Sequence, residues 1–233
     1  MHGYAGSPVP DGPRSAKTRR FTMTKKQTIT RRFTGTTLRE LREAIDACHA
    51  CPLWERATQG VPGEGSEHAH VMMVGEQPGD QEDRTGRPFV GPAGRLLDAA
   101  LEQAGVDRKE VYVTNAVKHF SWFPRGKRRM HKTPSQSEVA ACLDWLEAEI
   151  GLLHPRVIVC LGATAAKALL GPDFRVSLER GHLIEGSMAP FVLATVHPSS
   201  ILRITDEKER KEAFDRFAAD LALIREALDR KRR

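Results

Sequence analysis

The sequence has few cysteines and no long apolar segment. Its 233 residues include only four cysteines, and no apolar run approaches the roughly 20 residues that a membrane-spanning helix requires. The chain also lacks the apolar core of a secretory signal, so a scaffold held by disulfides is not expected. With 40% hydrophobic and 28% charged residues, it can bury one substantial core.

The sequence also has little basic excess outside its first residues. Residues 1–37 hold eight of the 36 Lys and Arg residues but only one acidic residue, which leaves 28 basic and 29 acidic residues for the remainder. Their Gly, Pro, Ser and Thr content predicts a disordered arm over 1–37, followed by a domain over 38–233. A transit peptide and a true start at Met23 are the alternatives for this arm. We expect a cytoplasmic protein, associated with the nucleoid if the source is bacterial.

Strand and helix patterns alternate after residue 38. Segments rich in Val, Ile and Met predict strands at 70–74, 110–117, 156–161 and 191–196. Helical patterns lie over 38–48, 92–104, 135–153, 163–170 and 207–232. Pro92 marks a helix start, Gly105 a stop, and Ser135 with Glu138 has capping-box spacing. The alternation predicts a single-domain α/β fold, a three-layer α/β/α sandwich with a central four-stranded parallel sheet.

Three residues capable of hydrogen-bond or acid–base chemistry come at the ends of predicted strands. Glu76 follows the first strand, Asn115 lies near the end of the second, and His197 follows the fourth. The carboxyl ends of parallel strands meet at one edge of the sheet, where ligands bind in such folds. Taken alone, each residue has an ordinary structural explanation. A Glu in a loop is usually solvated, an Asn near a strand end usually makes a turn contact, and a His before Pro usually acts as a cap. Their common position predicts a functional site.

The four cysteines are a second candidate site. Cys48 and Cys51 form a C-x-x-C motif after the first predicted helix, while Cys142 and Cys160 lie on a predicted helix and strand. Two thiolates at this spacing can bind one metal or cluster, which the other two can complete. Spacing alone does not distinguish zinc from iron and sulfur. Four buried, reduced thiols are the alternative to any such site.

A predicted basic loop over residues 122–134 is the third candidate. Its central cations are Lys127, Arg128, Arg129 and Lys132. Cations beside the two aromatic residues Trp122 and Phe123 suit a phosphate backbone with unstacked bases. A solvated basic face is the alternative, in which His131 would make one more phosphate contact.

Together these motifs resemble one known family, the iron–sulfur uracil-DNA glycosylases of type four. The resemblance is carried by the four cysteines and by residues 76–80, 88–94, 113–120, 161–166 and 197–200. It covers nearly everything from residue 38 onward. Gln77 and residues 127–131 resemble more narrowly the UdgX branch, which becomes covalently attached to the DNA it processes. That branch usually carries Ile where this chain has Met130, an apolar residue of similar size.

The resemblance implies a uracil-DNA glycosylase that binds a flipped uracil, preferably in single-stranded DNA. Phe89 would stack on the base, and Asn115 would accept from uracil N3 and donate to O4. The backbone around Gln77, Gly79 and Asp80 would help to hold the rest of the base. The residues expected to contact DNA are Lys127, Arg128, Arg129, Lys132, Ser199, Ser200 and Arg203.

The resemblance also implies catalytic roles. His197 would stabilise charge growing on uracil O2, as a neutral donor or as an acid. Glu76 lies at the family's catalytic acid position, and His131 would attack C1′ instead of water. The resulting His131–sugar bond would end the reaction after one equivalent of DNA. An ordinary turnover glycosylase whose basic loop only grips phosphates is one alternative, and a non-catalytic, metal-stabilised nucleic-acid binder is the other.

The cofactor implied by the resemblance is a 4Fe-4S cluster on Cys48, Cys51, Cys142 and Cys160. Its expected role is structural, tying the N-terminal helix to the sheet. We expect a monomer whose partner is uracil-containing DNA.

Overall fold

The computed structural model describes residues 33–230 and has a five-stranded sheet at its centre. The strands are β1 (Val71–Gly75), β2 (Val111–Asn115), β3 (Trp122–Arg125), β4 (Arg128–His131), β5 (Val157–Leu161), β6 (Leu183–Glu185) and β7 (Phe191–Thr195). The sheet order is β2-β1-β5-β7-β6, and β3 and β4 form a separate hairpin. β2, β1, β5 and β7 are parallel, whereas β6 is antiparallel to β7.

The four predicted strands are confirmed as β1, β2, β5 and β7, each within two residues at either end. The predicted sheet is one strand short, because β6 adds an antiparallel edge. β6 has only three residues, and none of them is buried. Such a short segment gives no recognisable pattern.

The helices are α1 (Leu38–Asp46), α2 (Asp80–Thr85), α3 (Pro92–Ala104), α4 (Gln136–Leu153), α5 (Ala163–Leu170), α6 (Val176–Glu179), α7 (Pro198–Leu202) and α8 (Glu207–Asp229). α3 begins at Pro92 and ends at Gly105, whose φ of 68° is left-handed. At the start of α4, Ser135 and Glu138 form the predicted capping box. The five longer helices are therefore confirmed, while α2, α6 and α7 were not predicted.

Helices cover both faces of the sheet, as a three-layer sandwich requires. Successive strand residues alternate between two core layers. In β1, Met72 and Val74 pack in the layer with α1, α4 and α5, whereas Val71 and Met73 pack in the layer with α3, α7 and α8. The predicted α/β/α architecture is thereby confirmed.

The segment predicted as a basic loop is a β-hairpin instead. Trp122 of β3 pairs with His131 of β4, and the strands turn at Gly126, whose φ is 58°. Most of its residues are exposed, and Pro124 interrupts the strand pattern. The hairpin thus has no buried face from which a period of two could be recognised.

Residues 1–32, most of the predicted arm, lie outside the described residues, so its structure stays a prediction. Within residues 33–230, no helix is both long and apolar enough to cross a membrane.

Candidate active site

Glu76, Asn115 and His197 lie at the carboxyl edge of the sheet. Glu76 directly follows β1, while Asn115 is the last residue of β2 and pairs with Gly75. His197 is the N-cap of α7, two residues after β7. Because these strands are parallel neighbours in the sheet, the three residues lie together at its carboxyl edge. Parallel α/β folds bind ligands at this edge.

An aromatic face and an amide edge converge at Gly75. A side chain at this position would collide with both Asn115 Oδ1 and the Phe89 ring, so glycine is required for their close approach. Phe89 has a left-handed φ of 58°, which is uncommon for a residue with a side chain. Its ring stacks on His197 with centroids 6.2 Å apart. Backbone strain of this kind is typical of ligand-binding sites.

His197 is a neutral hydrogen-bond donor in this arrangement. Its Nδ1 accepts from the Ser199 backbone N–H at 3.2 Å, so the proton of the neutral ring is on Nε2. Burial lowers the pKa of His197 to about 4, with further lowering from His131 and Arg203. The ring is therefore uncharged at neutral pH. Of the two roles predicted for His197, the geometry favours the neutral donor.

Glu76 connects the hairpin to the sheet. One carboxylate oxygen, Oε1, lies 3.4 Å from His131 Nε2. The other, Oε2, accepts a hydrogen bond from the Thr164 hydroxyl at the start of α5. The Glu76 carbonyl accepts from the Val117 N–H at 3.0 Å. Thr164 thus holds one oxygen of Glu76 while the other faces His131.

His131 is the most exposed member of the site, with 51% of its side chain accessible. Partial burial lowers its pKa, Glu76 acts in the opposite direction, and Arg203 lowers it again. The balance favours the neutral ring, which has a lone pair available for nucleophilic attack.

Arg129 attaches the hairpin to α2. Its guanidinium pairs with Asp80 and lies 2.6 Å from Asp83 Oδ2, a carboxylate that is fully buried. It also stacks near the Phe120 and Trp122 rings, at 5.4 and 5.5 Å from their centroids. An Arg side chain that is 15% exposed and doubly paired acts as an anchor of the hairpin, and the predicted DNA contact of Arg129 stays a prediction.

Gln77 holds both ends of the hairpin. Its Oε1 accepts from the Ser121 N–H at 2.8 Å. Its Nε2 donates to the carbonyls of Ser121 and Lys132 at 3.2 and 3.0 Å. The side chains of Gln77 and Asp80 are engaged by the hairpin and its flanks. The predicted contact with the base uses the backbone of residues 77–80 and stays a prediction. Gly79 is the N-cap of α2.

The other predicted DNA contacts remain at the surface or near His197. Lys127, Arg128 and Lys132 are exposed along the hairpin and the residue after it. In α7, Ser199 Oγ lies 2.8 Å from His197 Nδ1, and the Ser200 hydroxyl donates to the His197 carbonyl at 2.7 Å. Arg203 is exposed and 3.4 Å from Ser199 Oγ. Arg203 is close enough to His131 and His197 to lower the pKa of both.

The four cysteines lie in the segment after α1, in α4 and in β5, and Cys48 and Cys160 belong to the same core cluster. The thiols of Cys142 and Cys51 are hydrogen-bonded, which with burial raises the pKa of Cys142. Cys48 Sγ lies 3.2 Å from Nε1 of Trp145, one turn along α4 from Cys142. Cys160 instead lies in β5, in register with Val74 and Ala194. Burial alone raises its pKa to about 12, without any effect from another thiol.

The residues near Cys51 and Cys142 fit a cluster better than a single ion. Among residues 33–230, no three His, Cys, Asp or Glu side chains are close enough to bind one metal ion together. The ligands of a four-iron cluster stand further apart than those of one ion. Four thiols are suitable donors for an iron–sulfur cluster. His119 is also buried, with 3% exposed, and its Nδ1 has no hydrogen-bond partner in the described chain.

Two features next to the site were not predicted from the sequence. One is Thr164, whose hydroxyl is the partner of Glu76. A Thr at the start of a helix is ordinary, so its position indicated no functional role. The other is the fully buried ion pair of Lys118 and Glu149, at 2.7 Å. Lys118 Nζ also donates to Thr114 Oγ1 and to the Asn115 carbonyl, at 2.7 and 2.8 Å. It thereby fixes the backbone of Asn115. For this ion pair, the only signal in the sequence was Lys118 itself, in the motif that follows the second predicted strand.

Comparisons with known proteins agree with this geometry. The family model for the Uracil DNA glycosylase superfamily matches residues 62–222. The type-4 uracil-DNA glycosylase of Pyrobaculum aerophilum is 41% identical over 173 residues, which cover 71% of this chain and 85% of that protein. The type-4 uracil-DNA glycosylase of Thermotoga maritima is 39% identical over 170 residues, with 72% and 85% covered. The type-5 uracil-DNA glycosylase of Thermus thermophilus is 38% identical over 160 residues, with 55% and 69% covered.

Proposed function

The chain belongs to the uracil-DNA glycosylase superfamily, and from this we propose that it excises uracil from DNA and retains the resulting sugar on His131. The names of the type-4 relatives support the excision activity. The observation that carries the second part is the 3.4 Å approach of His131 Nε2 to Glu76 Oε1.

Uracil binds where Phe89 and Asn115 converge. The base must leave the stack to reach this edge of the sheet, and extrusion costs least from single-stranded DNA. Phe89 stacks on the base, and the Asn115 amide pairs with N3 and O4. The exposed cations Lys127, Arg128 and Lys132 bind the phosphates. The substrate is therefore uracil in DNA, preferably single-stranded, which the protein binds as a monomer.

Cleavage of the glycosidic bond leaves the bonding electrons on uracil, so negative charge grows on O2 as C1′ becomes electron-poor. The Nε2–H of neutral His197 donates to this oxygen and stabilises the anion. Glu76 lies on the same edge of the sheet, where its negative charge stabilises the electron-poor C1′.

His131 then completes the reaction in place of water. The lone pair of one imidazole nitrogen forms the bond to C1′, and Glu76 accepts the proton that the other nitrogen loses. The immediate products are the uracil anion, protonated Glu76 and a neutral imidazole joined to the sugar. As the base leaves, the proton passes from Glu76 through solvent to uracil, which restores the Glu76 carboxylate. An alkylated neutral imidazole is a poor leaving group, so one protein molecule reacts with one DNA strand.

A 4Fe-4S cluster is the proposed cofactor, and Cys48, Cys51, Cys142 and Cys160 would hold it. When bound, such a cluster can supply electron transfer or a structural crosslink. Here the cysteines join the segment after α1 to α4, so the role we propose is structural. None of the steps above uses it.

A denaturing gel tests the proposal. Wild-type protein is mixed with single-stranded oligonucleotides that contain one uracil or one thymine, and released uracil is measured in the same samples. We expect a uracil-dependent protein–DNA band that survives denaturation, and at most one equivalent of uracil.

The control variants separate the proposal from a turnover enzyme. His131→Ala should lose the band, whereas His68→Ala, which alters an exposed histidine elsewhere, should keep it. If wild type releases many equivalents of uracil without a band, the protein is an ordinary glycosylase and the covalent step is wrong. If neither uracil nor a band appears, the non-catalytic binder is correct.

A further inference from the structure

A cavity of about 300 Å³ lies beside the β3–β4 hairpin, outside the uracil site. One wall is the 3₁₀ helix Pro52–Glu55 with Arg56, which follows the C-x-x-C motif. The other wall is formed by residues 120–122 and Lys132, at the two ends of the hairpin. We call this space the side cavity. Its volume is at the lower end of the range for small-molecule sites.

The side cavity is next to His131. Phe120 lines it, and the ring centroids of Phe120 and His131 are 6.2 Å apart. Trp122 also lines it and pairs directly with His131 across the hairpin. Opposite residues of an antiparallel pair have their side chains on the same face, with Cβ atoms about 5 Å apart. A nucleotide joined to the one at His131 can therefore reach the side cavity.

Trp122 gives the side cavity a fixed aromatic wall. Its indole Nε1 donates to the Arg56 carbonyl at 2.9 Å, which ties the hairpin to the opposite wall. The Arg129 guanidinium lies over one face of the ring, 5.5 Å from its centroid. The other face is left for an occupant. Unstacked bases bind to aromatic rings with little regard to sequence, because every base has a π-face.

The charges of the side cavity suit a neutral ring that carries one phosphate. Arg56 and Lys132 are exposed cations, and Glu55 and Glu138 are carboxylates of the same lining, which balances the charges. Glu138 is already engaged, since it accepts from the Ser135 N–H at 2.6 Å. Balanced charges do not favour a bare anion. They leave the two exposed cations to bind a phosphate at the rim.

Ser121 adds a polar group for the edge of a base. Its backbone N–H donates to Gln77 Oε1 at 2.8 Å, and its carbonyl accepts from the Lys132 N–H at 2.9 Å. The hydroxyl is therefore the polar group that Ser121 can offer to an occupant. A hydroxyl both donates and accepts, so it can pair with any base.

We infer that the side cavity binds the base of the nucleotide next to uracil in the same DNA strand, stacked on Trp122. Arg56 and Lys132 bind the phosphate of this nucleotide. The inference deepens the proposed function and rests on it, but it does not depend on the covalent step at His131. Both bases must be unstacked, and this costs least in single-stranded DNA.

Binding without cleavage gives the first test. Single-stranded oligonucleotides carry one uracil on a sugar with fluorine at C2′, which withdraws electrons from C1′ and prevents cleavage. The base on the 5′ or the 3′ side of uracil is replaced by an abasic linker that keeps the phosphates. Fluorescence anisotropy measures Kd at one salt concentration. We expect one of the two linkers to weaken binding by roughly five- to 150-fold, the effect of one base–aromatic stack. Unchanged Kd with both linkers would overturn the inference.

Photocrosslinking of wild-type protein gives the second test, which needs no variant to fold. A 5-iodocytosine takes the place of the sensitive base, the complex is irradiated, and mass spectrometry identifies the crosslinked residue. We expect Trp122 or Phe120. Crosslinks confined to residues outside the side cavity would contradict the proposed position of the base.

Matched variants locate the effect, with circular dichroism as the check on folding. Trp122→Ala should bind the intact strand as weakly as wild type binds the linker strand, and the linker should weaken it no further. Phe123→Ala is the control. Phe123 is the next residue of β3, is 45% exposed and has its side chain on the opposite face of the hairpin. It should keep the full linker effect. A linker effect that persists in Trp122→Ala would count against stacking on this ring.

Uracil release from unmodified strands separates this inference from the proposed function. Release of uracil by a protein whose Kd is the same with and without the linkers would overturn only the side cavity. A linker effect in a protein that releases no uracil would overturn only the proposed excision.

Discussion

Two imidazoles in different surroundings have different roles in the proposed reaction. His197 accepts a backbone hydrogen bond at Nδ1 and can only donate through Nε2. His131 is half exposed and faces the Glu76 carboxylate. One ring is therefore arranged to stabilise the leaving base and the other to attack. Their environments, and not their residue type, assign these roles.

The pKa of His197 predicts a contribution to stability that depends on pH. The folded pKa of about 4 lies below the usual 6.5, so the folded state disfavours protonation. The stabilising contribution of His197 to the free energy of unfolding is fully present above about pH 6.5. It is lost as the pH falls towards about 4. His197→Asn keeps a capping oxygen but does not titrate. We expect its free energy of unfolding, from urea titrations, to fall less than that of wild type between about pH 7 and about pH 4.5. Equal losses in both proteins would contradict this assignment.

Glu76→Gln should slow the covalent step strongly. The amide keeps an oxygen for the Thr164 hydroxyl but cannot accept a proton from His131. We expect the rate of adduct formation at saturating DNA to fall by about 10²- to 10⁴-fold, the usual contribution of a general base. Quenched time courses on denaturing gels measure this rate.

Thr164→Val is the control for the position of Glu76. It removes only the hydroxyl that orients the carboxylate, so a loss of about tenfold is expected, as for one hydrogen bond. A loss as large as that of Glu76→Gln would mean that Thr164 takes part in the chemistry.

At the scale of elements, the β3–β4 hairpin is held by side chains. In the described chain it shares no strand pairing with the five-stranded sheet. Arg129 attaches β4 to α2, and Gln77 holds the residues that flank the hairpin. The position of His131 relative to Glu76 therefore depends on a few polar contacts.

Arg129→Ala should impair attachment without preventing base excision. It leaves the Asp83 carboxylate buried without its cation and releases β4, so His131 is no longer held at C1′. We expect the adduct to form at least about tenfold more slowly, the effect of losing one charged hydrogen bond. Released uracil should stay near the wild-type amount, and both are measured in one time course. Arg129→Lys should not rescue the rate, because an ammonium cannot reproduce the planar contacts.

Arg128→Ala is the matched control from the same strand. Arg128 is exposed, so its removal should weaken DNA binding and reduce the slope of binding against salt by about 1. Its adduct rate at saturating DNA should be unchanged. Opposite results for the two arginines would show that Arg129, and not Arg128, is the phosphate contact.

The elements that could be predicted from the sequence are those whose start or end is marked by residues nearby in the chain. Features formed by contacts between residues far apart in the chain could not be predicted. α3 and α4 were predicted because Pro92, Gly105 and Ser135 act within their own helix ends. The ion pair between Arg129 and Asp83 joins residues 46 positions apart, and no local pattern indicates it. The three active-site residues could be predicted since strand order determines where they meet. The Lys118–Glu149 pair could not, because composition does not show which side chains converge.

At the scale of the whole molecule, the Lys118–Glu149 pair joins β2 to α4. Lys118→Met leaves a buried carboxylate without its cation, so we expect a loss of about 3–5 kcal/mol in the free energy of unfolding. The double variant Lys118→Met/Glu149→Leu should recover only part of this loss, because Glu149 also accepts from the Gly63 N–H and from the hydroxyls of Tyr112 and Thr114. Urea unfolding measures both, and a double variant as unstable as the single one would mean that the pair is needed for more than charge balance.

The attachment of the hairpin by side chains has a consequence for how this chemistry can arise. Because the sheet and its two helical layers are complete without it, a plain turn between β2 and α4 would leave the same domain. On the proposed mechanism, a short insertion that carries one histidine and one arginine, together with the acidic residues of α2 that anchor it, would convert a repair enzyme into a permanent marker of its own lesion. The proposed trapping is in this sense an accessory that evolution can add or remove while the fold stays the same.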